Sequence, residues 1–336
     1  MWNVRQGLDF AAAVIAAVSA TLALSAMAVA AEPAWTPDKA VEIIAPSAAG
    51  GGTDLTARKI QTILQQKRLL NVPTAVINKN GGGGNVALAY LATQAGSGHS
   101  LCVMSQLILT NYIVGRSTFS YADFTPIAQL TSEYVAIAVR RDSPIASAAD
   151  LLSKLKADPG SISIAVGTSL GGAHHIAAAL ATQAAGGDIK KLKAVVFKSS
   201  AESTTALLGG HVDVASASVS LFGPQLAAGT LRVLAIAAPR RGEGALAVIP
   251  TWKELGHNIV VDNFRTLIGP PGMTPAQLAY WDALLERLSR MDEWKKKDEN
   301  DLWENNYMGS KDARRYLDTQ YEELHRVLSG LGIAKK

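Results

Sequence analysis

The chain carries a single cysteine, Cys102, in 336 residues, which excludes an internal disulfide. That cysteine lies in the apolar run Leu101-Cys102-Val103-Met104 and reads as a small buried hydrophobe. Charge is sparse as well: 18% of residues are Asp, Glu, Lys or Arg, and the net charge of +4 is not drawn into a stripe. The densest basic cluster, Lys295-Lys296-Lys297, is followed at once by Asp298, Glu299 and Asp301. Such a cluster is a solvated helix end, so no nucleic-acid partner is expected. Beyond the first thirty or so residues, no apolar stretch is long and uninterrupted enough to cross a bilayer. The turn Gly50-Gly51-Gly52-Thr53-Asp54 lacks the Gly-x-Gly-x-x-Gly spacing of a dinucleotide site. No P-loop Gly-Lys-Ser/Thr occurs. No cofactor is expected, and nothing favours an enzyme, although these absences leave a cofactor-free one open.

What is present begins with a leader. Arg5 precedes an apolar core from Phe10 to Leu24, and Ala26-Met27-Ala28-Val29-Ala30-Ala31 supplies small residues at alternate positions. This is the secretory order of charge, short apolar core and Ala-x-Ala cut, so residues 1–31 are expected to form a cleaved signal peptide. A retained membrane anchor is the alternative, because the apolar stretch nearly reaches spanning length. No cysteine lies near the cut, which argues against a lipid-anchored form.

The rest of the chain alternates strand with helix. Short β-type runs at Val41 to Ala45, Thr74 to Ile77 and Leu101 to Met104 are separated by helical stretches at Asp54 to Gln66 and Val86 to Ala95. A second series repeats the scheme from Ile162 to Val166 onward, and Leu231 to Ala237 ends it. The roughly three hundred mature residues exceed one small core and suit two lobes. Alternation of this kind predicts an α/β protein with largely parallel sheets flanked by helices. The C-terminal helices, the last with Ser310 as its cap and Gly330 as its stop, are expected to return to the first lobe. The expected division is residues 32–135 with 251–336 for lobe 1 and 136–250 for lobe 2.

Two glycine-rich turns stand out, each between a strand and a helix start. One runs from Pro46 through Gly50-Gly51-Gly52-Thr53-Asp54, the other from Gly167 through Thr168-Ser169-Leu170-Gly171-Gly172. Such turns bring bare backbone N–H groups and the positive end of a helix dipole together, which suits an anion. Gly51 and Gly52 allow close backbone approach, with Thr53 as the helix cap. Asp54 repels an anion and is expected to stabilise the helix start or pair with Arg58. Ser47 and Ser105 lie at strand ends, where the crevice of an open parallel sheet falls. On the other side, Thr168, Ser169, Gly171 and Gly172 form the matching cradle, with His174 as a donor. Adjacent histidines do not share a helix face and no Cys, Asp or Glu has ligand spacing near His174-His175, so no metal is expected. Lys198 and Arg265 are the cations expected to meet further carboxylates.

Five segments in order carry a family resemblance over essentially the whole mature chain. They are Pro46 to Arg58, Asn78-Lys79-Asn80-Gly81-Gly82-Gly83-Gly84, Gly167 to His174, Gly209-Gly210-His211-Val212-Asp213, and Pro250-Thr251-Trp252-Lys253-Glu254-Leu255-Gly256. Together they resemble the periplasmic solute receptors of tripartite tricarboxylate transporters, the Bug family. Phe264-Arg265 before Gly269-Pro270-Pro271-Gly272 is closer to the tricarboxylate-binding branch. Gly96-Ser97-Gly98-His99-Ser100 departs from the family's Pro-Asp-Gly-Tyr-Thr, and Phe197-Lys198-Ser199-Ser200 from Tyr-Lys-Gly. The resemblance implies a type II-like periplasmic binding protein fold, monomeric, that closes on a citrate-like di- or tricarboxylate and delivers it to membrane permease subunits. A secreted sensor feeding a signalling system is the alternative use of such a receptor.

Overall fold

The computed structural model describes residues 35–167, 169–295 and 303–335; the expected leader and Thr168 lie outside the described residues. The first part of the chain lays down β1 (Val41–Ala45), α1 (Gly52–Gln66), β2 (Thr74–Asn78), α2 (Asn85–Ala92), β3 (Ser100–Ser105), α3 (Leu107–Ile113) and β4 (Thr125–Ser132). The second part supplies β5 (Val135–Arg140), α4 (Ala148–Ala157), β6 (Ser163–Gly167), α5 (Ala173–Ala184), β7 (Lys193–Phe197), α6 (Ser200–Leu208), β8 (Val214–Ser218), α7 (Gly223–Ala227) and β9 (Leu231–Ile236). The chain then returns through β10 (Arg265–Gly269), α8 (Pro275–Ser289), α9 (Asp292–Lys295), β11 (Glu304–Met308) and α10 (Ser310–Gly330).

Two sheets result, with strand orders β11-β4-β10-β3-β1-β2 and β7-β6-β8-β5-β9 among the described residues. Each is built around a parallel trio, β2-β1-β3 in one and β7-β6-β8 in the other. The two-lobed α/β class is as expected; largely parallel pairing is not. Each sheet is mixed, because one strand that has just crossed from the other lobe is inserted antiparallel next to the trio. That strand is β10 in the first sheet and β5 in the second. The sheets therefore have matching plans, and the two glycine turns occupy equivalent places, each after the central strand of its trio.

Amphipathic spacing positions the helices. On α1, Thr53, Ala57, Ile60 and Leu64 face inward, a stripe of one residue per helical turn. On α10, Ala313, Leu317, Leu324 and Leu328 do the same and pack on β4 and α3 of the first lobe. Arg314 donates to the Phe124 carbonyl at 2.9 Å, and the Lys335 N–H to that of Ile113 at 2.8 Å. Ser310 is not the cap of α10: Gly309 holds that position, and the Ser310 hydroxyl donates to Asp282 Oδ2 at 2.7 Å.

The segments that join the lobes lie side by side. Asn263 N–H donates to the Glu133 carbonyl at 2.7 Å, Ala237 N–H to that of Val135 at 2.7 Å, and Val261 N–H to that of Ala237 at 2.9 Å. One apolar core continues through this junction, from Ile44, Leu88 and Met104 to Val135, Val166 and Ile176.

Candidate functional site

The first turn leaves β1 at Ala45 and enters α1 at Gly52. Gly51 caps the helix in an extended conformation without any side-chain bond. Thr53 is not the cap, because its hydroxyl is turned back to donate to Ser47 Oγ at 2.8 Å, which ties the turn across itself. A Cβ on Gly51 would fall 2.6 Å from Ser47 Oγ, and one on Gly52 would run into the Arg265 guanidinium. Both glycines are thus required by packing.

Asp54 is almost fully buried and acts inside the protein. It accepts from Gly50 N–H at 2.9 Å, from Asn78 Nδ2 at 2.8 Å and from Arg58 Nε at 2.9 Å. Burial by itself would raise its pKa, but Arg58, Asn78 and the Gly50 N–H together hold it below the ordinary carboxylate value. The carboxylate fixes the turn's shape from behind, as the pairing alternative anticipated.

The second turn leaves β6 at Gly167 and enters α5 at Ala173, with Gly172 as an extended cap. Gly171 has φ of +80°, a conformation other residues rarely adopt, and its N–H donates to His175 Nδ1 at 3.1 Å. The Ser169 hydroxyl is buried and has no hydrogen-bond partner among the described residues. This turn rests on the first lobe: a Cβ on Gly172 would lie 2.9 Å from Leu107 Cδ2, and Arg116 donates to the Leu170 carbonyl at 2.5 Å.

His174 is buried one residue inside α5. Its Nε2 stands 3.4 Å from Asn263 Nδ2 and 3.5 Å from Ser218 Oγ, and Asn263 also donates to Ser218 Oγ at 2.9 Å. Burial, and then the nearby Arg265 cation, lower its pKa to about 4, so the ring is neutral at pH 7. His175 is lowered to about 4 by burial and Arg116. Among the described residues no group of three or more His, Cys, Asp or Glu is placed to hold a metal ion.

Between the turns stands Arg265, at the start of β10, paired across the sheet with Ser105 of β3 and Thr131 of β4. The residue is 3% exposed overall, and its guanidinium meets Glu133 Oε2 at 2.6 Å. A second Glu133 oxygen accepts from Ser220 of the other lobe, and Arg265 Nη1 donates to the Asn263 and Phe264 carbonyls. Sequence reading missed Glu133. The one available signal was its isolation as the only charge in Gln129-Leu130-Thr131-Ser132-Glu133-Tyr134.

A small cavity of about 40 Å³ lies between the first turn and the start of α5. Ser47, Gly51, Gly52, Thr53 and Ser105 line it from the first lobe, His174, Ser199 and Ser200 from the second, and Asn263 and Arg265 from the junction. Asp54, Ser169, Gly171 and Gly172 do not line it, although Gly172 sets the position of Ala173, which does. Lys198 is exposed and borders a different opening of about 220 Å³, with Pro46, Asn80 and Gly81 to Gly83. The two expected cations therefore do not share one cavity. Ser199, Ser200 and Asn263 were not anticipated as lining residues.

Residues 56–333 match the family model described as the tripartite tricarboxylate transporter family receptor. A Cupriavidus necator protein, "UPF0065 protein in gbd 5′ region", is 26% identical over 322 residues, which is 96% of each chain. Protein BugT of Bordetella pertussis is 27% identical over 246 residues, covering 71% of this chain and 73% of the relative. Among solved structures, R. palustris Rpa4515 with adipate superposes with a TM-score of 0.82 at 25% identity, covering 89% of this chain and 99% of that one. Periplasmic binding protein BugD has the same fold, with a TM-score of 0.81 at 22% identity over 89% of this chain and all of its own.

Proposed function

The chain belongs to the tripartite tricarboxylate transporter receptor family, which consists of solute-binding proteins and not enzymes, and from this premise we propose that it captures a small carboxylate between its lobes and delivers it to the membrane subunits of such a transporter. The observation that carries the proposal is the meeting of two helix starts and a buried guanidinium around one cavity. Backbone N–H groups at a helix start and an arginine fork are both suited to carboxylate oxygens. Neutral His174 and Asn263 add orienting hydrogen bonds without adding charge.

The proposed ligand has two carboxylates rather than three. Each helix start can hold one, while the positive charge of Arg265 is already met by Glu133. A cavity of about 40 Å³ has room for only a few waters, each needing about 10–15 Å³ on the same measure, and is tight for a dicarboxylate. The lobes must therefore part for entry. We place their division at the strands that cross, after β4 and again between β9 and β10, and take residues 1–31 as a leader removed on export to the periplasm. Among the described residues no helix is long and apolar enough to cross a membrane.

Titration calorimetry of the exported protein with succinate, citrate, a neutral sugar and an organic cation tests the reading. Carboxylates are expected to bind and the other two are not. Tight binding of the sugar or the cation overturns it.

A further inference from the structure

We infer that the cleft has a second compartment that takes an apolar arm of the ligand, so that the preferred solute is a long-armed or aromatic carboxylate and not a compact one. This rests on the carboxylate reading above and narrows its ligand class. A cavity of about 240 Å³ adjoins the turn-lined one of about 40 Å³, and Gly52 and Arg265 border both. A dry apolar cavity of about 150 Å³ is enough to admit benzene. The larger compartment therefore has room for a ring or an extended chain, and a ligand that ended at the turns would leave it unused.

Its lining is mixed: Thr56, Thr131, Glu133 and Ser220 are polar, and the apolar remainder fits an apolar guest. Leu55 on α1, Leu221 and Pro224 from the second lobe, and Trp294 and Trp303 from the first supply that apolar part. The two indole rings stand 5.3 Å apart, centroid to centroid. Leu55 is 49% exposed on a helix that otherwise turns its apolar residues inward, and the surface it exposes is a wall of this cavity. The compartment runs along α1 from Gly52 to Lys59, a rise of about 10 Å at helical spacing. Lys59 lies over the Trp303 ring at 4.6 Å, so positive charge marks the far end. Gln225 Oε1, also on this wall, is buried with no hydrogen-bond partner among the described residues. An arm ending in a carboxyl or hydroxyl group would meet polar groups there.

The test is a length series on the full exported chain: succinate, adipate, suberate and phenylsuccinate by titration calorimetry. Affinity is expected to rise about threefold to fourfold for each added methylene that is buried. Phenylsuccinate is expected to bind more tightly than succinate. Leu55→Trp, which fills the compartment from an exposed helix position, should bring the suberate-to-succinate ratio close to one. Leu221→Trp does the same from the opposite lobe, which guards against misfolding of either variant. Equal binding of succinate and suberate by the parent overturns the compartment and leaves carboxylate capture standing. So does an unchanged ratio in both folded variants. Absence of binding by every carboxylate overturns both readings together.

Discussion

Arg265 and Glu133 form an ion pair at 2.6 Å with side chains 4% and 5% exposed, on the two adjoining segments that join the lobes. Buried pairs contribute little net stability over apolar replacements, but removing one partner leaves an uncompensated charge. Glu133→Gln is therefore expected to destabilise the ligand-free protein by on the order of 3 kcal/mol. An anionic ligand would then meet an unneutralised guanidinium, so the thermal shift induced by a dicarboxylate should increase. Adding Arg265→Met to Glu133→Gln should recover most of the lost stability but not the enhanced shift. Urea unfolding with and without ligand reads both effects, and a Glu133→Gln variant as stable as the parent would show that the pair is not what holds Arg265.

Asp54 supports the first turn through Gly50, Asn78 and Arg58, and its loss should act on stability before binding. A hydrogen bond to a charged group is worth about 1.5–3 kcal/mol. Asp54→Asn is expected to lower Tm clearly, whereas Arg58→Met should cost much less because that side chain is 48% exposed. The sign with pH follows from the lowered pKa. The stabilisation is present above the unfolded value of 3.8 and is lost as pH falls through the lower folded value. The parent and Asp54→Asn should thus converge in Tm at strongly acid pH; a constant gap would place the effect elsewhere.

The sequence revealed the parts of this molecule that depend on local pattern. Strand–helix alternation places β1, α1, β3 and β6 close to their true limits, because the strands are short apolar runs bounded by glycine or a polar turn and α1 starts at the last of its glycines. It missed β4, where Pro126 and Gln129 interrupt the apolar pattern, and β11, whose Glu304-Asn305-Asn306-Tyr307-Met308 is a polar strand on a sheet edge. Antiparallel insertion of β5 and β10 was illegible for a different reason: strand direction is set by which lobe the chain has just left. The glycine turns were readable because close approach needs small residues. The partner of Arg265 was not, since Glu133 is brought to it by the second crossing from 132 positions away in the chain.

Gly52 and Gly172 are small because side chains of other elements occupy the space a Cβ would take. At Gly52 the obstacle is Arg265, which Glu133 pins; at Gly172 it is Leu107, which α3 holds. Gly52→Val is expected to displace the guanidinium from the cavity and weaken carboxylate binding at least tenfold, the equivalent of about one charge-assisted hydrogen bond. Gly172→Val should wedge the second turn away from the first lobe and weaken binding similarly. Circular dichroism with calorimetry separates these outcomes from unfolding. If both variants fold and bind as the parent does, the ligand lies outside the turn-lined cavity.

Acid should weaken the fold well before ordinary carboxylates titrate. Burial, with Arg265 for His174 and Arg116 for His175, lowers both histidines from 6.5 to about 4 in the folded chain. An unfolded chain takes up these protons near pH 6.5, so the stabilisation is complete above that value and declines as pH falls toward 4. Asp262 works the other way. Burial raises it from 3.8 to about 6, against hydrogen bonds from Ser132, the Glu133 N–H and Tyr316, so its contribution is lost as pH rises toward 6. Two histidines against one aspartate leave about one net proton between pH 4.5 and 6, or about 1.4 kcal/mol of stability per pH unit. Above pH 6 the histidines act alone. Asp262→Asn removes the opposing proton, so its stability should fall more steeply with acid than the parent's; His175→Asn, which can still accept from the Gly171 N–H, should flatten the parent's slope. Chemical denaturation at half-unit steps from pH 7 to 4.5 measures all three slopes. A parent whose stability is level or rises with acid across that range would mean that the two histidines are not both buried neutral in the folded protein.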